Sequence, residues 1–361
     1  MELKTITSLE SLRKGRRAEI GRAVEALEAF QPAQVIAALE HATFPNTADR
    51  QARVLLLGAS LAYRNRPLAA IKVLSESRDR AKAPEDIILA RRILDADLRV
   101  ETGRASEARP VAEECRARAE SAGLKNLYIE AAIVEGAALS AMGFQLNAMR
   151  ALKDAAEKAR NCGTMYLVTL ALARLSACHY RAGEILAAMT AAGNGVQSSP
   201  TRQGIGYGIA QRHMALAFGV QGDHSAAIEW HRKARTTFAA CGYLPGEIRN
   251  YLSLGLTHIN MGDLVVAGHY LKRADELNRD GDNPALATII QSRLGTLALS
   301  KADPLRAIEH FQRDADSTGE MDDASGKGYA ARNLARAHKA AGRPDESAGC
   351  FLRAVVAFEK A

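Results

Sequence analysis

The chain has 361 residues, with 48 Lys and Arg against 41 Asp and Glu, a formal net charge of +7. Hydrophobic residues make up 47% and aromatics 5%; that is enough apolar surface to bury a continuous core, which excludes a disordered chain, and the abundance of Ala, Leu, Glu, Arg and Lys favours helices over strands. The five cysteines (Cys115, Cys162, Cys178, Cys241 and Cys350) are odd in number and contain no C-x-x-C pair, which argues against a disulfide framework or a zinc site and fits a reducing compartment.

The N-terminal stretch MELKTITSLESLRKGRR lacks the apolar core of a signal peptide, and no segment approaches a membrane span. The expectation is a cytoplasmic protein without a membrane contact. Arg13, Lys14, Arg16 and Arg17 form the densest basic cluster. It reads first as a solvated helix face and second as a contact for nucleic acid or an acidic surface. Ser8 to Ala42 reads as a helix pair broken at Gln31-Pro32, a degenerate cap filling residues 1–49.

From residue 50 onward the helical pattern repeats. Short turns recur at Asn65, Gly103, Gly143, Gly183, Gly222, Gly262, Ala302 and Gly342, spaced 38 to 40 residues apart. Six are glycine, which closes a helix at positive φ at little cost. Seven residues before each turn stands Gly58, Ala96, Gly136, Ser176, Ala215, Gly255, Gly295 or Ala335; five after it stands an alanine from Ala70 to Ala307, or Ser347. Small residues at both places predict that the two helices of each unit cross closely there. Bulky residues flank the notches, such as Leu74, Leu152, Leu271, Phe311 and Phe351 nine after the turn.

The segment YLSLGLTHINMGDLVVAGHYLKRADEL, from Tyr251, resembles the tetratricopeptide-repeat superfamily: an aromatic, Leu-Gly, a Gly turn, Ala, a bulky residue and Ala. The 40-residue period is similar to the longer variant of kinesin light chains and MalT-like regulators. The resemblance spans residues 50–361 as eight helix hairpins. It implies an all-α, right-handed superhelical solenoid with a concave groove lined by the first helix of each pair, and no particular activity. Four hairpins fall in residues 50–200 and four in 201–361. The stretch Ala192-Gly-Asn-Gly-Val-Gln-Ser-Ser-Pro200 is expected to end a helix, which places an irregularity or hinge near residues 192–203. The last pair ends FLRAVVAFEKA with no helix after it. Solenoids need a terminal cap, so the C-terminal helix pair is expected to allow a homo-oligomer.

No catalytic, cofactor-binding or metal residue is expected, and the chain is not expected to be an enzyme, since it has no Walker A, G-x-S-x-G or H-E-x-x-H sequence. Gln203-Gly-Ile-Gly-Tyr-Gly208 follows no strand pattern. His179, His258 and His338 recur four before a turn, too far apart for one metal ion, and read as packing residues. Asp314 to Asp322 looks like the start of a calcium loop, but its twelfth position is Ser325, so an acidic inter-repeat loop is the favoured reading.

The groove is where binding is expected. By the resemblance, residues 13, 10, 6 and 3 before each turn face it. They are small or apolar early (Ala52, Leu55, Ala59, Ala62, Ala90, Ile93) and basic later: Arg212 and Arg249, with Arg174 and Arg293 one position along. Tyr329, Arg332, Arg336 and Lys339 share one helix face. Guanidinium groups in a row suit carboxylates or phosphates, unless they pair with acids on neighbouring repeats. The reading is an interaction scaffold or adaptor that holds a peptide or partner protein with acidic groups. The alternatives are a regulatory sensor that binds a signal peptide or small effector and changes superhelical shape, and, ranked below both, a nucleic-acid binder.

Overall fold

A computed structural model describes residues 18–29, 31–44, 46–75 and 83–359. The basic cluster at residues 13–17 lies outside them. Among the described residues there are eighteen helices and no strand. The first two, α1 (Ala18–Glu28) and α2 (Pro32–Leu39), form the N-terminal pair, bury Ile20, Val24, Leu27, Val35 and Leu39, and meet at Gln31-Pro32. Arg53 ties the pair down by donating from Nε to the Leu39 carbonyl at 2.6 Å, a cation on the electronegative end of α2.

Eight hairpins follow. They are α3 (Thr47–Tyr63) with α4 (Pro67–Ser75), α5 (Glu85–Glu101) with α6 (Ala105–Ser121), α7 (Lys125–Ala141) with α8 (Gln145–Asn161), and α9 (Met165–Arg181) with α10 (Ile185–Ser198). After them come α11 (Ile205–Val220) with α12 (His224–Ala240), α13 (Leu244–Asn260) with α14 (Leu264–Asn278), α15 (Pro284–Ser300) with α16 (Pro304–Gly319), and α17 (Ala324–Ala340) with α18 (Pro344–Glu359). The first helices of successive hairpins pack on one another as an inner layer, and each second helix lies outside its own partner.

All eight turn residues read from the repeat have positive φ, from 57° at Ala302 to 95° at Gly143. The left-handed residue lets the next N–H bond back across the turn, as where the Phe144 N–H donates to the Leu139 carbonyl at 2.9 Å. The small notches meet large partners. A Cβ added at Gly255 would stand 2.5 Å from Leu271 Cδ2, one at Gly136 2.7 Å from Leu152 Cγ, and one at Gly295 2.7 Å from Phe311 Cε1. Each pair joins the residue seven before a turn to the residue nine after it. Where serine replaces the small residue, its hydroxyl reaches across the same gap: Ser176 Oγ donates to the Ala188 carbonyl at 2.7 Å, and Ser347 Oγ to the Ala335 carbonyl at 2.9 Å.

One sequence expectation changes, that of the acidic loop from Asp314. Helix α10 passes through Gly193 and Gly195 and ends at Ser198, inside the stretch expected to stop it; Gly195 lets Ala210 and Leu172 approach closely, and left-handed residues follow at Arg202 and Gly204. The acidic stretch from Asp314 is not a loop, since α16 continues to Gly319 with Asp314 buried and accepting from Thr318 Oγ1 at 3.1 Å. Gly208 serves packing, its missing Cβ leaving room for the Phe238 ring.

Because Leu271 is fully buried and cannot swing away, Gly255→Leu is expected to lower stability by about 1–3 kcal/mol through overpacking. The measurement is thermal unfolding followed by circular dichroism; an unchanged midpoint would show that the notch is not tight.

Candidate partner-binding groove

The inner layer curves until its later hairpins face its earlier ones. Ile205 of α11 belongs to the same hydrophobic core as α1 to α7, and Ile209 and Tyr243 pack against that core. Tyr243 meets Tyr63 edge-on with ring centroids 5.4 Å apart. What remains between Ala59, Leu94, Leu98 and Tyr243 is a crevice of about 30 Å³, room for a water or two. Ala52, Leu55, Ala59, Ala90 and Ile93, apolar positions expected to face the groove, are buried.

Beside this crevice lies an ionic cluster. Arg174 of α9 donates to Asp97 Oδ1 at 3.2 Å and to Glu101 Oε1 at 3.4 Å, and Arg249 of α13 donates to Glu101 Oε2 at 2.5 Å. The carboxylates both come from α5, four residues apart on one helical face. Burial alone would raise the Glu101 carboxyl, but the Arg249 and Arg174 guanidiniums outweigh it and hold it below the ordinary carboxylate range. The same carboxylates drive Arg174 further up despite its burial. Burial, reinforced by the charge of Glu101, pushes the Tyr243 phenol up. The acids that pair with these arginines thus come from across the groove and not from adjacent repeats.

Two further guanidiniums on the inner layer, Arg212 of α11 and Arg293 of α15, make no ion pair among the described residues. Arg212 is half-buried, and one of its N–H groups donates to His213 Nε2 at 3.2 Å. Burial and the neighbouring Arg249 charge push it down to about 10. Burial pushes the His213 imidazole far down, so it is neutral. The Arg293 guanidinium is lowered by burial too, and its Nε has no hydrogen-bond partner. Both arginines lie within electrostatic reach of the Tyr180 hydroxyl. Asp314, within range of Arg293, is itself raised to about 6 by burial.

The remaining predicted residues stand apart. Tyr329, Arg332, Arg336 and Lys339 are exposed along one face of α17, with the Arg332 guanidinium 4.8 Å from the Tyr329 ring centroid. Sequence reasoning missed Asp97 and Glu101, although Asp97 stands six before its turn, one of the positions expected to face the groove. Of the histidine ladder, His179 braces its turn with Nδ1 2.6 Å from Glu184 Oε2, while His258 Nδ1 lies 3.5 Å from Asp263 Oδ2 and its ring stacks on Tyr270, each acid standing one residue after the turn. In the last unit Arg343 takes the acid's place. No group of three His, Cys, Asp or Glu among the described residues is placed to hold a metal, and no described helix is long and apolar enough to cross a membrane.

No family model matches the chain. A stretch of 106 residues is 30% identical to the anaphase-promoting complex subunit cut9 of Schizosaccharomyces pombe, covering 29% of this chain and 14% of that protein. Whole-chain likenesses are structural. The Rap conjugation gene regulator of plasmid pLS20, solved with the Phr* peptide, is similar over 99% of this chain and 96% of its own, with a TM-score of 0.64 at 13% identity. The aspartyl phosphate phosphatase F of Bacillus subtilis is similar over 98% and 94%, at 0.55 and 11%. The Cut9–Hcn1 complex is similar over 98% of this chain and 76% of that one, at 0.51 and 14%. The chain has the fold of a tetratricopeptide-repeat-like helical solenoid. Identities this low establish the fold, which in this solenoid has wound far enough for its two halves to touch.

Glu101→Gln is expected to destabilise the solenoid by roughly 2 kcal/mol at neutral pH, the loss of hydrogen bonds to a charged acceptor. Since the folded pKa of Glu101 is depressed, its contribution is complete above the ordinary carboxylate range and is lost as pH falls through the folded value. Wild type and variant should therefore converge in acid. Chemical denaturation across pH checks both the size and the sign.

Proposed function

We propose that this solenoid is a protein-interaction scaffold or adaptor that holds an extended segment of a partner along its inner surface, with acidic groups of the partner seated on Arg212 and Arg293. The observation that carries this reading is the pair of half-buried guanidiniums without an ion pair. Partly desolvated cations are costly when left unpaired, and a planar guanidinium offers paired N–H donors to a carboxylate. Tyr329, Arg332, Arg336 and Lys339 extend the basic track along α17. The fold neighbours include a regulator bound to a peptide and a complex with a partner protein, which agrees with an inner surface that takes polypeptide.

A second reading, a regulatory sensor that changes shape on binding a signal peptide, is favoured by the contacts across the groove. A ligand entering near Tyr63 and Tyr243 has to displace them, so occupancy and curvature would be linked. Nucleic acid ranks below both, since base stacking needs aromatics and the predicted groove positions carry few. The exposed Leu352, Val355 and Val356 of α18 would be the surface for association with a second copy.

The test uses a fluorescent pool of heptapeptides rich in Glu and Leu. Arg212→Ala with Arg293→Ala should weaken binding at least about tenfold, the loss of one or two charge-assisted hydrogen bonds. Binding to wild type should fall as salt is added. Neither arginine makes an ion pair among the described residues, so the variant should keep its helical circular dichroism. Equal binding by wild type, by this variant and by Arg332→Glu with Arg336→Glu would overturn the reading.

A further inference from the structure

The two loops that join the sixth to the seventh hairpin and the seventh to the eighth are built differently from the other described junctions. Gly123, Gly163 and Gly242 close the earlier helices in the left-handed region. The later loops lack such a residue and carry an aspartate followed by a second Asp or Asn instead, Asp282-Asn283 and Asp322-Asp323. In each pair the second residue caps its own helix: Asn283 Oδ1 accepts from the Leu286 N–H at 3.1 Å and Asp323 Oδ1 from the Gly326 N–H at 2.8 Å. The first residue makes no hydrogen bond within its own loop among the described residues.

Asp282 and Asp322 reach the opposite end of the solenoid. The Asp282 N–H donates to the Asn65 carbonyl at 3.1 Å, and its carboxylate accepts from the Leu68 and Ala69 N–H groups at 2.9 Å each, at the start of α4. One repeat further on, the Asp322 N–H donates to the Gly103 carbonyl at 2.8 Å, and its carboxylate accepts from the Ser106 hydroxyl at the start of α6. The acceptors are in both cases the left-handed turn residue, so the same contact is made twice at equivalent places. Asn65 Nδ2 adds a bond to Asn278 Oδ1 at 2.9 Å, Gly281 lies close against Asn65, and Met321 packs on Gly103.

The receiving turns are modified to match. One residue after the turn, the fifth and seventh hairpins carry Asp223 and Asp303, which cap their own second helices by accepting from Ala226 and Arg306 N–H groups at 2.9 and 3.1 Å. The first and second hairpins carry Arg66 and Arg104 at that position. The backbone N–H groups at the start of α4 are capped by Asp282 from the far end of the chain, and at the start of α6 Asp322 accepts from the Ser106 hydroxyl. Two residues before these same turns stand Tyr63 and Glu101, the residues that cross the groove to Tyr243 and to Arg174 and Arg249.

We propose that Asp282 and Asp322 form a two-point clasp that holds the later hairpins on the first two and keeps the groove shut, and that release of the clasp opens it. Opening at these edges would part Tyr63 from Tyr243 and Glu101 from its arginines, exposing Arg174 and Arg249 as additional cationic groups. The clasp is independent of what the groove binds, so its test needs no ligand.

Two full-length variants are compared with wild type by small-angle scattering. Asp282→Ala with Asp322→Ala removes the carboxylates. Arg66→Asp with Arg104→Asp gives the receiving helices their own caps and sets like charges against the clasp, so it tests the same contact even if the first variant folds poorly. Both should show a larger radius of gyration and a longer maximum dimension with unchanged helical content. Closure is read separately by cross-linking Ser106→Cys to Asp322→Cys in a Cys162→Ser background. Oxidation should close that disulfide in high yield, and adding Asp282→Ala with Arg66→Asp should reduce its rate at least about tenfold. Scattering profiles identical to wild type for both variants, or a cross-linking rate indifferent to Asp282 and Arg66, would overturn the proposal.

Discussion

Everything in this molecule depends on one constraint repeated eight times: a hairpin of two helices that can close only around a small residue and a left-handed turn. Where Gly255 faces Leu271 and Gly295 faces Phe311, the bulky side chain occupies the volume that a Cβ would need. That contact sets the angle between the helices of a unit, and the next unit inherits it. Since each repeat touches mainly its neighbours, small rotations add along the chain. The curvature of the whole solenoid is the sum of these local crossings.

The sum has a consequence that no single repeat contains. After five to six hairpins the inner layer returns to meet its own beginning, and the groove receives side chains from both ends. Arg174 and Arg249 neutralise Asp97 and Glu101 there, so two of the four arginines predicted for the groove on α9, α11, α13 and α15 are already occupied by internal carboxylates. Arg212 and Arg293 lie on the same inner layer without an ion pair among the described residues. Charge on a repeat protein's inner surface therefore has two distinct meanings in this chain, bracing and unsatisfied, and only the spatial arrangement separates them.

The histidine ladder shows how a sequence pattern can be sound while its purpose is local. His179 and His258 meet Glu184 and Asp263 across their own turns, a distance of five residues along the chain. The serines at notch positions behave likewise, spending their hydroxyls on the facing carbonyl. These contacts are short in sequence and recur with the period, so a reader of the sequence can place them. Asp97 and Glu101 were equally visible as an acidic pair on one helix face, but their partners lie 73 to 148 residues away.

By itself the amino-acid sequence determined the repeat: the eight turn residues, all left-handed, the small notches and their large partners, and the two-helix unit. These are local requirements of backbone geometry and side-chain volume, and each acts within one hairpin. The tertiary structure alone decided that the solenoid closes, which arginines are paired, and why Asp282 and Asp322 stand beside residues that already cap their helices. Those outcomes depend on pitch, which accumulates from many small rotations, and a difference of a few degrees per repeat would have carried the two ends past each other.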